Sequence, residues 1–342
     1  MLLERAGIHT TLLCRTPDQA KELSGARQNE HYLPGVELPR DLRVRALGAE
    51  PDQFSRADLV FLAVPSKEIG TAMEELERIG VPDRAGIVSL AKGLVPPDGA
   101  TRTALLEAVF GPERVACVGG PAHELEMVEH GAGLVCASRS EVLAHRVAEA
   151  FQRAGVVCEV SDDPVGVELA GVAKNAAAVA VGATQAQGLN AAGMAAADIF
   201  LEVLSLSSSS GGQARTFVGR AGTGDLVATA LAPKSRNRSA GELLAQGVPA
   251  AEIPERVGQA VEALETVPVL ARAIERAGVE APVTSALARL IEGRLPVDDW
   301  VALVRAKQPP PASFRRPSTW WARMRAWFGR HFGTRSLDSE RQ

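Results

Sequence analysis

Lys174 stands among Ala, Val and Gly in a stretch with helical character, 165–187. Burial penalises an ammonium ion and lowers its pKa, so a lysine in such surroundings can exchange a proton near neutral pH. The alternative is a lysine that snorkels to the surface over apolar neighbours. Asp225, preceded by Gly222 and Gly224 in a segment expected to turn sharply, offers a carboxylate to hold Lys174 or a substrate hydroxyl. On its own it fits an ordinary turn or cap equally well. Ser235, Arg236 and Asn237 combine a hydroxyl, a planar guanidinium and an amide, directed donors able to surround a phosphate. The bare tripeptide also fits a solvated helix start. Lys92 follows an apolar run, 86–91, and so is expected at the carboxyl end of a sheet, where open α/β folds bind ligands.

Something must hold these residues in place. Short apolar or β-branched runs at 10–14, 59–64, 86–91, 115–118, 133–137 and 156–160 alternate with helical stretches, the pattern of βα units in a parallel sheet buried on both faces. After Val165 the strand signal gives way to helical segments at 165–187, 191–206, 239–245 and 260–277. The expected fold class is therefore α/β, a Rossmann-type parallel sheet followed by an all-α part. Its divisions are residues 1–162 for the dinucleotide-binding domain, 163–306 for the helical substrate domain, and a Pro-linked tail over 307–342. A dinucleotide-binding sheet opens with a strand and a Gly-rich turn into a helix. Here the residues from Leu2 to Gly7 read as the end of that helix, with the strand and turn expected upstream of Met1. A misassigned start and a real loss of cofactor binding are the two explanations. Arg15, at the end of the next strand, is placed to meet an adenosine ribose, where an arginine favours NADP over NAD; a solvated surface arginine is the alternative.

Composition narrows the class. The chain of 342 residues is 46% hydrophobic with one Tyr and nine Phe, which suits helices on a parallel sheet. Cys14, Cys117, Cys136 and Cys158 share no C-x-x-C spacing and read as buried thiols of a cytoplasmic protein, with no metal site expected. No apolar run in the sequence approaches spanning length. The net charge of −4 hides an asymmetry, because from Ser313 onward seven Arg face only Asp338 and Glu340. The acidic remainder excludes nonspecific nucleic-acid binding. In the tail, Trp320, Trp321, Met324, Trp327, Phe328 and Phe332 fall on one face of an amphipathic helix with Arg323 and Arg330 elsewhere. That face either packs on the body or on a second subunit of a homodimer, or rests on an anionic membrane as a peripheral contact.

Five segments carry more than pattern: NEHYLPG from Asn29, AKGL from Ala91, GVELAGVAKN from Gly166, AGTGDL from Ala221 and SRNRSAG from Ser235. In order and spacing, from Met1 to about Gly293, they resemble the NAD(P)-dependent glycerol-3-phosphate dehydrogenase family. The resemblance implies a Rossmann domain and a helical domain with the site between them. The implied reaction interconverts dihydroxyacetone phosphate and sn-glycerol 3-phosphate with NAD or NADP, for glycerophospholipid synthesis. It implies Lys174 as the catalytic residue. The substrate contacts it implies are Lys92, Gly120, Lys174, Asn175, Asp225, Ser235, Arg236 and Asn237. On the cofactor, beside Arg15, it places Lys92, Arg236 and Glu262. The chain departs from the family at Gly120-Pro121-Ala122-His123-Glu124, where Gly-Pro-Ser-Phe-Ala is usual, at Asp198 in place of Arg, and at Ala263 in place of Gly. These changes weaken the substrate contacts at 120–122. His123 is either an acid/base near the site or a structural or surface residue. Two rival functions remain: a β-hydroxyacid or nucleotide-sugar dehydrogenase on the same fold, and a catalytically silent scaffold.

Overall fold

In a computed structural model the described residues are 1–50, 52–232 and 235–306; the tail, with its expected amphipathic helix, lies outside them. The first part alternates strands and helices: α1 (Leu2–Arg5), β1 (Thr11–Cys14), α2 (Pro17–Ala26), β2 (Gln28–Asn29), β3 (Leu33–Glu37), β4 (Arg43–Ala46) and β5 (Leu59–Leu62). There follow α3 (Ile69–Ile79), β6 (Gly86–Ser89), α4 (Arg102–Phe110), β7 (Val115–Gly119), α5 (Glu124–His130), β8 (Gly133–Ser138), α6 (Glu141–Arg153) and β9 (Val157–Ser161). From there on every element is a helix: α7 (Pro164–Thr184), α8 (Leu189–Ser209), α9 (Ala214–Val218), α10 (Asp225–Leu231), α11 (Arg236–Ala245), α12 (Ile253–Val257), α13 (Glu262–Arg276), α14 (Pro282–Ile291) and α15 (Val297–Ala306). All six expected strands form. β2, β3 and β4 escaped notice because β2 is two residues long, β3 carries Pro34 and Gly35, and the alternating RVRA of β4 is too short a run to separate from its surroundings.

The main sheet has the order β5-β6-β7-β8-β9, and β6 and β7 are buried along their whole length. It is parallel except that β7 and β8 run antiparallel, a departure from the all-parallel expectation. The geometry allows it because α5, only seven residues long, lies between β7 and β8 as a short return. β1 pairs with β4 in a separate parallel ribbon. The four thiols are buried and unpaired, as their apolar settings imply.

α7 organises the rest. Asp163 caps it, accepting from the Gly166 amide at 2.8 Å, with Pro164 in the first turn. Nearly every side chain along it is buried, as expected of a helix apolar all round. With its short continuation to Gln187, α7 is long and apolar enough to cross a membrane, and so is α8, which corrects the expectation from the sequence. Its 89% burial makes α7 the core helix of the helical part. Two glycines let α11 cross it at close range. A Cβ on Gly182 would run into the Arg238 carbonyl oxygen, and one on Gly241 into that of Val179.

α7 is also tied to the sheet. Arg102 at the start of α4 and Glu168 on α7 are each 1% exposed and form an ion pair at 3.0 Å. Arg102 further donates to Ser89 Oγ at the end of β6 and to the Gly93 carbonyl, while Glu168 accepts from the amide and hydroxyl of Thr103. Breaking such a pair strands a buried charge, so Glu168→Ala is expected to cost about 3–5 kcal/mol. Urea unfolding measures it; a loss below about 1 kcal/mol would show that water reaches Arg102.

Candidate active site

The carboxyl ends of β6 and β7 meet the middle of α7, and a buried carboxylate lies where they meet. Asp225, 2% exposed, opens α10 directly after a π-turn over 220–224. The glycines of that turn act differently from the expectation. Gly222 is not in the left-handed region; it is small because a Cβ there would collide with the Phe217 backbone. Close packing of the turn seats Asp225 in the interior.

Asp225 takes a cation on each oxygen. Lys92 Nζ donates to Oδ2 at 2.6 Å and also to the Gly120 carbonyl at 2.8 Å. Lys174 Nζ lies 3.6 Å from Oδ1. Gly120 has φ 102°, a conformation that favours glycine, and this turns its carbonyl toward Lys92. The stem of Lys92 lies against Gly171, one turn before Lys174 on the same helix. Lys174 itself is 8% exposed. Burial first, and then the neighbouring Lys92 ammonium, lower its pKa to about 8, while Asp225 opposes them. The snorkelling alternative is thereby set aside.

A chain of amides extends the site. Asn175 Nδ2 donates to the Lys92 carbonyl at 2.9 Å, and Asn237 Nδ2 donates to Asn175 Oδ1 at 2.9 Å. The close crossing of α7 and α11 allows that contact, and it brings the first turn of α11 beside Lys174. Ser235 caps this helix, its hydroxyl accepting from the Arg238 amide at 3.4 Å. Arg236, half exposed, lies 3.7 Å from the Glu124 carboxylate. Glu262 opens α13 and accepts from the amide and hydroxyl of Ser66, at 3.2 and 2.8 Å, next to the turn at Gly93.

Lys92, Gly120, Lys174, Asn175, Asp225 and Asn237 are thus joined by direct contacts, with Ser235 and Arg236 adjoining through α11 and Glu262 through the Gly93 turn. Arg15 is apart: it is exposed in the turn between β1 and α2, and among the described residues no hydrogen bond or ion pair links it to this group. His123 precedes α5 and stays outside the group; its Nε2 is buried with no hydrogen-bond partner among the described residues. Reading the sequence missed Ser66, whose partner lies 196 positions away, and missed Arg102 and Glu168. The fit to a dinucleotide is uneven. Lys92, Gly120 and Glu262 gather at the sheet's carboxyl end, where a nicotinamide would sit. Among the described residues no glycine-rich turn leads from a strand into a helix to take a pyrophosphate.

An α/β sheet and a helical half meeting at a lysine, lysine and carboxylate centre define a two-part oxidoreductase fold of the dinucleotide-dependent dehydrogenases. Two family models match, described as the N-terminus and C-terminus of NAD-dependent glycerol-3-phosphate dehydrogenase, over residues 1–144 and 163–302. Glycerol-3-phosphate dehydrogenase (NAD(P)+) of Deinococcus radiodurans is 37% identical over 84% of this chain and 85% of its own. That of Variovorax paradoxus is 33% identical over 92% and 96%. The crystal structure of glycerol-3-phosphate dehydrogenase from Coxiella burnetii superposes with a TM-score of 0.79 at 25% identity, covering 90% of this chain and 94% of that one. The chain belongs to the NAD-dependent glycerol-3-phosphate dehydrogenase family.

Because the folded pKa of Lys174 lies below the usual lysine value of 10.5, the folded chain releases this proton before the unfolded chain does. The charged ammonium therefore costs stability at neutral pH, and that cost is relieved as pH rises from about 8 toward 10.5. Lys174→Met, which carries no such cost, is expected to lose ground relative to the parent by on the order of 1–3 kcal/mol between about pH 7 and pH 10. Urea midpoints at the two pH values test this; a pH-independent difference would refute the buried-ammonium account.

Proposed function

We propose that this chain interconverts dihydroxyacetone phosphate and sn-glycerol 3-phosphate, with Lys174 as the proton-transfer group. The observation that carries the reading is a buried lysine with a pKa of about 8, held beside a carboxylate that a second lysine also engages. Held by Lys92, Arg236 and Glu262, NADH or NADPH would supply the hydride for the ketone carbon. Lys174 Nζ gives its proton to the oxygen of that carbon as the alkoxide develops, and takes it back in the oxidative direction. Asp225 aims Lys174, and Lys92 adds a second positive charge that stabilises a developing alkoxide. Ser235, Arg236 and Asn237, in and before the first turn of α11, receive the phosphate with directed donors and the positive end of a helix. Asn175 links that end of the site to the Lys92 turn.

Residues 1–162 form the cofactor side in this reading and 163–306 the substrate side. Lys92, Arg236 and Glu262 hold the nicotinamide end, and Arg15 accommodates a 2′-phosphate, favouring NADP. The product feeds glycerophospholipid synthesis. The tail over 307–342 places a cytoplasmic enzyme reversibly on anionic membranes, supported by its aromatic residues and six Arg between Arg315 and Arg335 with no intervening acid.

Lys174→Ala is expected to lower kcat by on the order of 10²-fold, and Arg236→Ala chiefly to raise KM for dihydroxyacetone phosphate. Steady-state kinetics in both directions decide; unchanged constants in both variants remove the assignment. In the parent, kcat/KM for ketone reduction is expected to fall as pH rises through about 8, and for alcohol oxidation to rise over the same range. For the tail, the full chain should sediment with anionic vesicles at low salt and be released by salt, whereas a chain ending at Lys307 should not sediment. If both stay in the supernatant, the membrane role is wrong.

A further inference from the structure

Arg236 is placed to receive an anion, yet an anion of the protein already faces it. Among the described residues the carboxylate within ion-pair distance is Glu124, whose Oε1 lies 3.7 Å from Arg236 Nη2, with side chains 65% and 46% exposed. The two residues come from opposite walls. Glu124 opens α5, four residues after Gly120, whose carbonyl is bound by Lys92. Arg236 opens α11, beside Asn237, which is hydrogen-bonded through Asn175 to the Lys92 turn. The pair therefore spans the rim of the space above Lys92 and Lys174. An exposed pair of this kind adds little stability. Its consequence is for what enters.

We propose that Glu124 is a specificity-determining residue that competes with the phosphate of the substrate for Arg236. This rests on the reading in which Arg236 meets that phosphate. A phosphomonoester carries about −1.5 to −2 charges at neutral pH, so its approach to the guanidinium is repelled by a carboxylate already there and requires Glu124 to swing away. Glu124 has room to do so, because it is mostly exposed and accepts no hydrogen bond that ties it elsewhere among the described residues. The carboxylate thus raises the concentration of phosphorylated substrate at which the site fills. It leaves the proton transfer at Lys174 untouched, since it contacts neither Lys174 nor Asp225. Salt screens both the repulsion and the pair, so the effect belongs to low ionic strength.

The test compares the full chain with Glu124→Gln, Arg236→Ala and the double variant, by calorimetric titration with sn-glycerol 3-phosphate and with inorganic phosphate, alongside steady-state kinetics. Glu124→Gln should tighten both anions and lower KM by ~3-fold or more at low salt with kcat unchanged, and the gain should shrink when ionic strength rises to roughly 0.5 M. In the Arg236→Ala background the Glu124→Gln change should have a clearly smaller effect, because the competition for the guanidinium is gone and only the direct repulsion remains. Affinities that are unchanged or weakened in Glu124→Gln overturn the proposal, a weakening meaning that Glu124 holds Arg236 in its working position. If Arg236→Ala binds both anions as tightly as the parent, the phosphate assignment fails as well, and titration registers this even where turnover is absent.

Discussion

Asp225 is the constraint on which the centre depends. A single buried carboxylate meets Lys92 from the sheet and Lys174 from α7, so two ammonium groups that would repel one another share a counter-charge. Without it, the two ammonium groups would face one another unneutralised, and Lys174 most of all would lie in an interior that penalises ions. With it, the two are held unequally: Lys92 has a short hydrogen bond and a backbone carbonyl as well, whereas Lys174 has the longer contact and the deeper burial. That inequality gives each its part. The well-bonded lysine is fixed in place, and the poorly compensated one is poised to lose a proton.

Such an arrangement tolerates little movement between the halves of the molecule, and the packing limits that movement in two places. The Arg102–Glu168 pair fixes α7 against the turn carrying Lys92, six residues along the helix from Lys174, a rise of about 9 Å. The glycine crossing at Gly182 and Gly241 fixes α11 against the same helix from the other side. α7 is thereby the common reference for Lys174, for the Lys92 turn and for the Asn237 contact. Its burial and its small side chains follow from that position, since only Ala, Gly and Val admit neighbours so close on every side.

What was legible in the sequence was local. Asp225 and the Ser235-Arg236-Asn237 turn draw their weight from their place in the series of family-like segments, whereas Lys174 stands out because a charged residue inside an Ala-rich helix is visible within a few positions. The strands 59–62, 86–89 and 115–119 were visible for the same reason. Contacts across the chain were not. Ser66 is an unremarkable serine until Glu262 folds over it, and Arg102 looks like an ordinary charged residue at a helix start until Glu168 pairs with it in the interior. The antiparallel entry of β8 depends on how short the return through α5 is, which the composition of the strand does not reveal. Gly222 carried a signal, but of the wrong kind: its small size serves packing against Phe217 rather than an unusual backbone angle.

The charges around the cleft complete the argument. Lys92, Lys174 and Arg236 each meet a carboxylate of the protein itself, Asp225 for the lysines and Glu124 for the arginine. The two carboxylates differ in depth. Asp225 is sealed under the lysines and stays, so it fixes the aim of both ammonium groups and partly offsets the burial that lowers the Lys174 pKa. Glu124 stands on the rim in contact with solvent, where an ion pair is weak and exchangeable. In the proposed reading the buried anion keeps the chemistry constant and the exposed one adjusts the affinity for phosphate. On that reading, substitutions at the rim can therefore change affinity without altering the proton transfer, because among the described residues no hydrogen bond or ion pair joins Glu124 to Lys174.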